Sequence, residues 1–371
     1  MNRRDFVIST GASIATIGVA APRTTSAADG ASVQRTPLPI KMYVGCQRGP
    51  TTPQLLNYFK RHGVTHICGY PEIADSGGRW SDDDLNRTRD LVEKHGLTLA
   101  MVALPFLTAS HIDRERRGAI MLGESPERDR DIADIQSMIA RCGRVGIPAF
   151  KYNMSLLGVL RTSSVPGRGG SRYSTWSLKD ARPDKPLTRA GVVTAEIFWE
   201  RITYFLERII PVCEEYKVRA ACHPHDPGVP AEGYQGISRV LGTIDGLKRF
   251  VSLNESPYHG LNFCIGTLGE NLNDPDREIH DVIRYFGTRG KIFNVHFRNI
   301  NGSRDHFSEV YPDEGDMSMV RVAQTLREVG YEGMLMPDHM PYHEDDPDSN
   351  QAFAYCYGYI KATLQTLSEL G

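Results

Sequence analysis

Four short segments of this sequence end in side chains that bind transition metals. They are Cys222-His223-Pro224-His225-Asp226, Asn262-Phe263-Cys264, Val295-His296-Phe297-Arg298-Asn299 and Met336-Pro337-Asp338-His339. Each closes a short β-rich run. The imidazoles of His223 and His296, the thiolate of Cys264 and the carboxylate of Asp338 make a shell for a divalent ion of intermediate softness. Mn2+ fits such a set, as do Fe2+, Co2+ or Ni2+, better than the harder Mg2+ does. Four protein ligands on an octahedral ion leave two positions for substrate oxygens, where the ion acts as a Lewis acid. Taken singly, each residue has a plainer reading: a hydrogen-bonded loop histidine or a small buried thiol. Their recurrence at the ends of four successive strands is what points to a metal. His225, Asp226 and His339 each stand beside a ligand and compete for the same role.

For these residues to meet, their strands must lie side by side. β-rich runs recur at 40–46, 64–70, 97–104, 147–153, 218–223, 261–266, 291–297 and 333–338. Amphipathic stretches of helical period lie between them, at 53–62, 82–95, 127–145, 195–216, 237–250, 276–288, 316–329 and 350–370. The acidic run after Ser81 and the His-Gly pairs at 62–63 and 95–96 punctuate three helix ends. Strict alternation of strand and helix predicts a closed (β/α)8 TIM barrel, whose functional residues gather at the C-terminal ends of its strands. An open doubly wound sheet is the competing α/β arrangement, but no glycine-rich phosphate loop follows the first strand. One connection breaks the rhythm: residues 154–191, rich in Gly, Ser, Arg and Pro, separate the fourth strand from its helix. A segment so long, emerging at the functional face, reads as a lid offering Trp176 and several arginines to a substrate.

Composition excludes several classes. Of the 371 residues 40% are hydrophobic and 24% charged, an ordinary globular balance, and a net charge of −2 provides no basic field for nucleic acid. Outside the N-terminus no apolar run approaches the roughly 18 residues of a membrane span. Residues 1–28 carry Arg3-Arg4, a mildly apolar run and small residues near Ala27, the layout of a twin-arginine export signal. That predicts a periplasmic protein, with residues 29–371 as a single barrel domain and no membrane association once mature. Seven widely spaced cysteines form no paired motif, so a disulfide framework is not expected.

The segments HPHDP (223–227), ESPYHGLNFCIGTLGE (255–270), NVHFRNI (294–300), EGDM (314–317) and MPDH (336–339), with Lys151-Tyr152-Asn153-Met154 upstream, resemble the D-mannonate dehydratase family. The likeness implies a xylose-isomerase-like barrel holding Mn2+ or a related ion on His223, Cys264, His296 and Asp338. It also implies a sugar-acid substrate that loses water to give 2-keto-3-deoxygluconate. On the same resemblance His339 matches the acid/base position and Arg298 the group that clamps the substrate carboxylate. Asn153, His225 and His259 complete the expected substrate contacts. The sequence departs from the family in two places. His225 stands where the family has an acidic residue, and the Gly-Tyr-Gly segment that carries a catalytic tyrosine is missing, leaving Tyr342 or His343 nearest to that role. A metal-dependent isomerase, epimerase or other lyase acting on another carbohydrate is the alternative enzyme. A periplasmic sugar-acid binding protein is the alternative outside enzymes, and a homo-oligomer is among the states open to either.

Overall fold

Strand and helix alternate almost throughout the chain. In the computed structural model, residues 39–369 are described except 76, 183 and 230–232, and the predicted export signal lies outside the described residues. The first half holds β1 (Lys41–Cys46), α1 (Pro53–Arg61), β2 (His66–Gly69), α2 (Asp82–Lys94), β3 (Thr98–Ala103), a short α3 (Ala119–Leu122), α4 (Glu127–Val145) and β4 (Ala149–Asn153). Next come β5 (Ser163–Pro166), β6 (Arg172–Ser177), α5 (Ala195–Tyr216), β7 (Arg219–His223), α6 (Ile244–Ser252), β8 (His259–Cys264), the one-turn α7 (Ile265–Gly269) and α8 (Pro275–Gly287). The chain then forms β9 (Ile292–His296), β10 (Asn299–Ser303), β11 (His306–Val310), α9 (Met319–Glu328), β12 (Glu332–Met336) and α10 (Asn350–Glu369).

Eight of these strands close a barrel in the order β1-β12-β9-β8-β7-β4-β3-β2, every neighbouring pair parallel. They correspond to the eight expected runs. Period-2 alternation along each strand sends one set of side chains outward and the other into the lumen. Phe150 and Tyr152 of β4 thus join the large core beneath the helices, whereas Ala149 joins Cys68, Met101, Ala221, Phe293 and Met336 inside the barrel. Helix starts are set by side-chain caps. Thr52 accepts from Leu55 N, Ser81 and Asp84 form a reciprocal capping box, and Thr194 accepts from Ile197 N.

Two helices begin later than their periodicity suggests. α6 opens at Ile244 because Ile237 is spent on backbone bridges to Tyr234 and Val193, and Thr243 supplies the cap. α9 opens at Met319 because Asp316 turns back to accept from Gly302 N at 2.6 Å and Asn301 Nδ2 at 3.1 Å.

The long connection after β4 is not a free lid. Within it, β5 and β6 join β10 and β11 in a four-stranded antiparallel sheet ordered β10-β11-β6-β5. Trp176 lies opposite Phe307 in this sheet and meets Tyr234 edge to face at 5.8 Å, leaving it only 2% exposed. The indole is therefore a core side chain of the added sheet and offers nothing to a substrate. Trp176→Ala should lower stability by roughly 3–5 kcal/mol, the usual cost of truncating a buried aromatic. Urea unfolding measures that loss, and limited proteolysis should then cut within 154–191 before it cuts the barrel.

Candidate active site

His223, Cys264 and His296 are the last residues of β7, β8 and β9, and Asp338 lies two residues beyond β12. Barrel closure brings one donor atom from each to within 4.8 Å of all the others. Hydrogen bonds on the far side of each ring decide which nitrogen faces inward. Nδ1 of His223 lies 2.7 Å from Pro224 O, so it carries the proton and Nε2 is bare. Nε2 of His296 sits 3.2 Å from Gln47 Oε1 and 3.1 Å from Asn262 Nδ2, leaving Nδ1 without a hydrogen-bond partner and 3.2 Å from Asp338 Oδ2. Burial pushes His223 down to about 4, so it is neutral, the form that ligates a metal. The Cys264 thiol is buried, which opposes its ionisation, but the guanidinium of Arg298 and the ring of His296 outweigh burial and hold it below its ordinary value. A bare imidazole nitrogen, a second one unpartnered, an acidified thiol and a carboxylate fit a thiophilic divalent ion.

Around these donors lies a buried ionic cluster centred on Arg298. Its Nη1 donates to Glu270 Oε1 at 2.7 Å and Glu309 Oε1 at 2.8 Å. Nη2 donates to Asp226 Oδ2 at 2.9 Å and Thr267 Oγ1 at 2.8 Å, and lies 3.5 Å from Cys264 Sγ. Arg161, from the connection after β4, pairs with Asp226 at 2.6 Å and contacts Glu309. Burial opposes the charge on Asp226 and Glu309, but the two guanidiniums, joined for Glu309 by His339, hold Asp226 well below the carboxylate range and Glu309 down to about 2. Glu270 goes the other way: burial and the nearby Asp226 raise it well above the ordinary carboxylate range, against the pull of Arg298 and Arg161. Two guanidiniums thus face three carboxyl groups.

His339 joins the cluster to the metal donors. Its Nδ1 is 2.6 Å from Glu309 Oε1, and its Nε2 lies 3.8 Å from Asp338 Oδ2. Burial would discharge the ring, but the Asp338 and Glu309 carboxylates prevail and raise it to about 10. With Asp338 neutralised by a bound cation, that pull would fall mainly on Glu309.

His223, His296 and Asp338 open into a cleft of about 60 Å³, lined also by Lys151, Asn153, Ser155 and His339. Gly158 helps to roof it. Its φ is +69°, and a Cβ there would stand 2.6 Å from the carbonyl oxygen of Ala109, so the loop after β4 packs backbone to backbone on the loop after β3. Larger depressions elsewhere, such as the 820 Å³ groove beside Phe106, bring together no comparable set of donors among the described residues.

Other expected residues fall outside the cleft. Arg298 is buried with both Nη1 and Nη2 donating to protein acceptors and only Nε, 3.6 Å from Asp338 Oδ2, left without a hydrogen bond, so it presents no free fork to a substrate carboxylate. His225 is buried against Phe198 with Nε2 2.7 Å from Met154 O, and burial drives it down to about 3. His259 begins β8, at the opposite end of the barrel from Cys264, with Nδ1 2.9 Å from Leu253 O. Tyr342 is 44% exposed and pairs through its backbone with Arg172, while His343 lines a separate surface depression beside Arg168. Asn153 does line the cleft, and its Oδ1 is buried without a partner. Sequence reading missed Arg161, Glu270 and Glu309. Glu270 was within reach, six residues past Cys264 in a quoted motif, but nothing marks Arg161 or Glu309 until the added sheet brings them inward.

The model of the D-mannonate dehydratase (UxuA) family matches residues 177–367, which include all four metal donors and His339. A mannonate dehydratase of Thermotoga maritima is 30% identical, with 75% of this chain and 82% of the relative covered. The chain belongs to the D-mannonate dehydratase family. Mannonate dehydratase 2 of Halalkalibacterium halodurans is 29% identical over 78% of this chain and 88% of its own. Among solved structures, the mannonate dehydratase of Streptococcus suis superposes with a TM-score of 0.74 at 23% identity, covering 88% of this chain and 93% of the other. A xylose isomerase domain protein of Planctomyces limnophilus shares the fold at a TM-score of 0.58 and 13% identity, over 89% and 100% of the two chains.

Within this family member, Arg298 is a residue that holds others in place. Arg298→Met would leave Asp226 and Glu309 short of a buried counter-charge, and stability should fall by roughly 3–5 kcal/mol. Denaturant unfolding separates that outcome from a substrate clamp, whose loss would raise KM at unchanged stability.

Proposed function

We propose that this protein is a metal-dependent hydro-lyase that converts D-mannonate to 2-keto-3-deoxygluconate and water. The carrying observation is the convergence of the donor atoms of His223, Cys264, His296 and Asp338 beside a cleft that His339 also lines, in a chain of this family. The names of the relatives support the choice of substrate. The thiolate and imidazole donors favour Mn2+, or Fe2+, Co2+ or Ni2+, over Mg2+. When bound, such an ion would supply Lewis-acid stabilisation of the negative charge that develops on the substrate as C2 loses its proton.

The chain's own groups account for the rest. As the C2–H bond breaks, its proton passes to Nε2 of His339 and its electron pair forms the C2–C3 double bond; the C3–O bond breaks, and the departing hydroxyl needs that proton to leave as water. His339 is placed to give it, because Glu309 holds Nδ1 and leaves Nε2 as the atom that exchanges a proton at the cleft. The enol so formed tautomerises to the 2-keto acid. The expected setting is the periplasm, reached through the export signal in residues 1–28.

Purified protein loaded with Mn2+ should form 2-keto-3-deoxygluconate from D-mannonate, and absence of product at full metal occupancy overturns the substrate. Chelation should abolish turnover and lower the unfolding temperature, since the bound ion stabilises only the folded state. His339→Asn should reduce kcat by about 100-fold or more while metal content, read by elemental analysis, stays unchanged. Loss of metal in that variant would instead make His339 a ligand.

A further inference from the structure

Lys151 sits in the middle of β4, Ala149-Phe150-Lys151-Tyr152-Asn153. Phe150 and Tyr152 pack outward, Tyr152 against Phe205 of α5 at 5.6 Å, so alternation turns Lys151 into the lumen with Ala149 and Asn153. Its neighbours in register are Ala103 on β3 and Ala221 on β7, two methyl side chains that leave the lysine stem room to rise toward the mouth. There it lines the cleft with His223, Asp338 and His339.

Lys151 is half-buried, yet no described residue hydrogen-bonds or ion-pairs with its ammonium. That contrasts with the other cations of the region. Arg161 and Arg298 are committed to Asp226, Glu270 and Glu309. One ladder position toward the mouth, the buried Oδ1 of Asn153 also lacks a partner. A partly desolvated cation without a counter-ion is costly unless a ligand supplies the missing charge. Its field is felt at His223, where it adds to the effect of burial in disfavouring the protonated ring.

We propose that Lys151 Nζ binds the carboxylate of the substrate while Asn153 Oδ1 accepts one of its hydroxyls, so that this pair, and not Arg298, selects polyhydroxy acids over neutral polyols. The proposal rests on the reading of the site as that of a sugar-acid dehydratase. A point charge at this depth suits a ligand whose remaining oxygens face the metal donors and His339, because an ammonium demands no fixed fork geometry.

Calorimetric binding to the Mn2+-loaded protein tests it, with D-mannonate and D-gluconate as acids and D-mannitol and D-glucitol as their uncharged counterparts. The unaltered protein should prefer acid over polyol by about 10- to 100-fold, the range of a charge-assisted hydrogen bond. Lys151→Met should erase that preference, leaving polyol affinity, metal content and unfolding temperature unchanged, and Lys151→Arg should restore part of it. A Lys151→Met protein that still prefers the acids overturns the proposal, as does an unaltered protein with no preference. If D-gluconate binds in a Lys151-dependent way and D-mannonate neither binds nor reacts, the substrate reading fails and the role of Lys151 stands.

Discussion

A guanidinium sealed from water must find acceptors for its N–H groups, and the packing around Arg298 follows from that demand. Its acceptors come from the loop after β7, from α7 and the residue that follows it, and from β11, while Cys264 at the end of β8 lies within its field. Each barrel strand would reach the mouth on its own, but the loops beyond them need not agree on a geometry. Charge compensation makes them agree, because an anion displaced from this cluster would be left buried and unpaired. The acidified thiol and the depressed Asp226 follow from two guanidiniums placed among three carboxyl groups, and the raised Glu270 follows from burial beside Asp226.

His339 inherits this order. Glu309 accepts from Arg298 and Arg161 and also fixes Nδ1 of His339, so the orientation of the imidazole depends on residues that never reach the cleft. The donor imidazoles of His223 and His296 are oriented in the same manner, by Pro224 O and by Gln47. The rings of His223, His296 and His339 are thus held by hydrogen bonds on the sides turned away from the donor cluster.

Much of this was legible in the sequence because barrel strands announce themselves by composition and the ligands terminate them. His223, Cys264, His296 and Asp338 could be chosen without coordinates, since a strand end in this fold has one destination. His259 and His225 mislead for an equally physical reason. One-letter proximity says nothing about which end of a strand a residue occupies or which face it takes, and His259 starts its strand while His225 turns into apolar packing. The 154–191 segment was misread because Gly, Ser and Arg suggest solvent, whereas β5 and β6 pair with each other within it and β6 finds its other partner more than a hundred residues away, on β11. Nothing local in Arg161 or Glu309 reveals an association that only long-range pairing creates.

That pairing has a consequence for exchanging parts between relatives. The β5–β6 segment and the β10–β11 hairpin sit in different βα connections, and transplanting either one alone would separate Trp176 from Phe307 and Arg161 from Glu309. Chimeras of this barrel should therefore move the two connections as a single cassette, because one encodes the backing of the other.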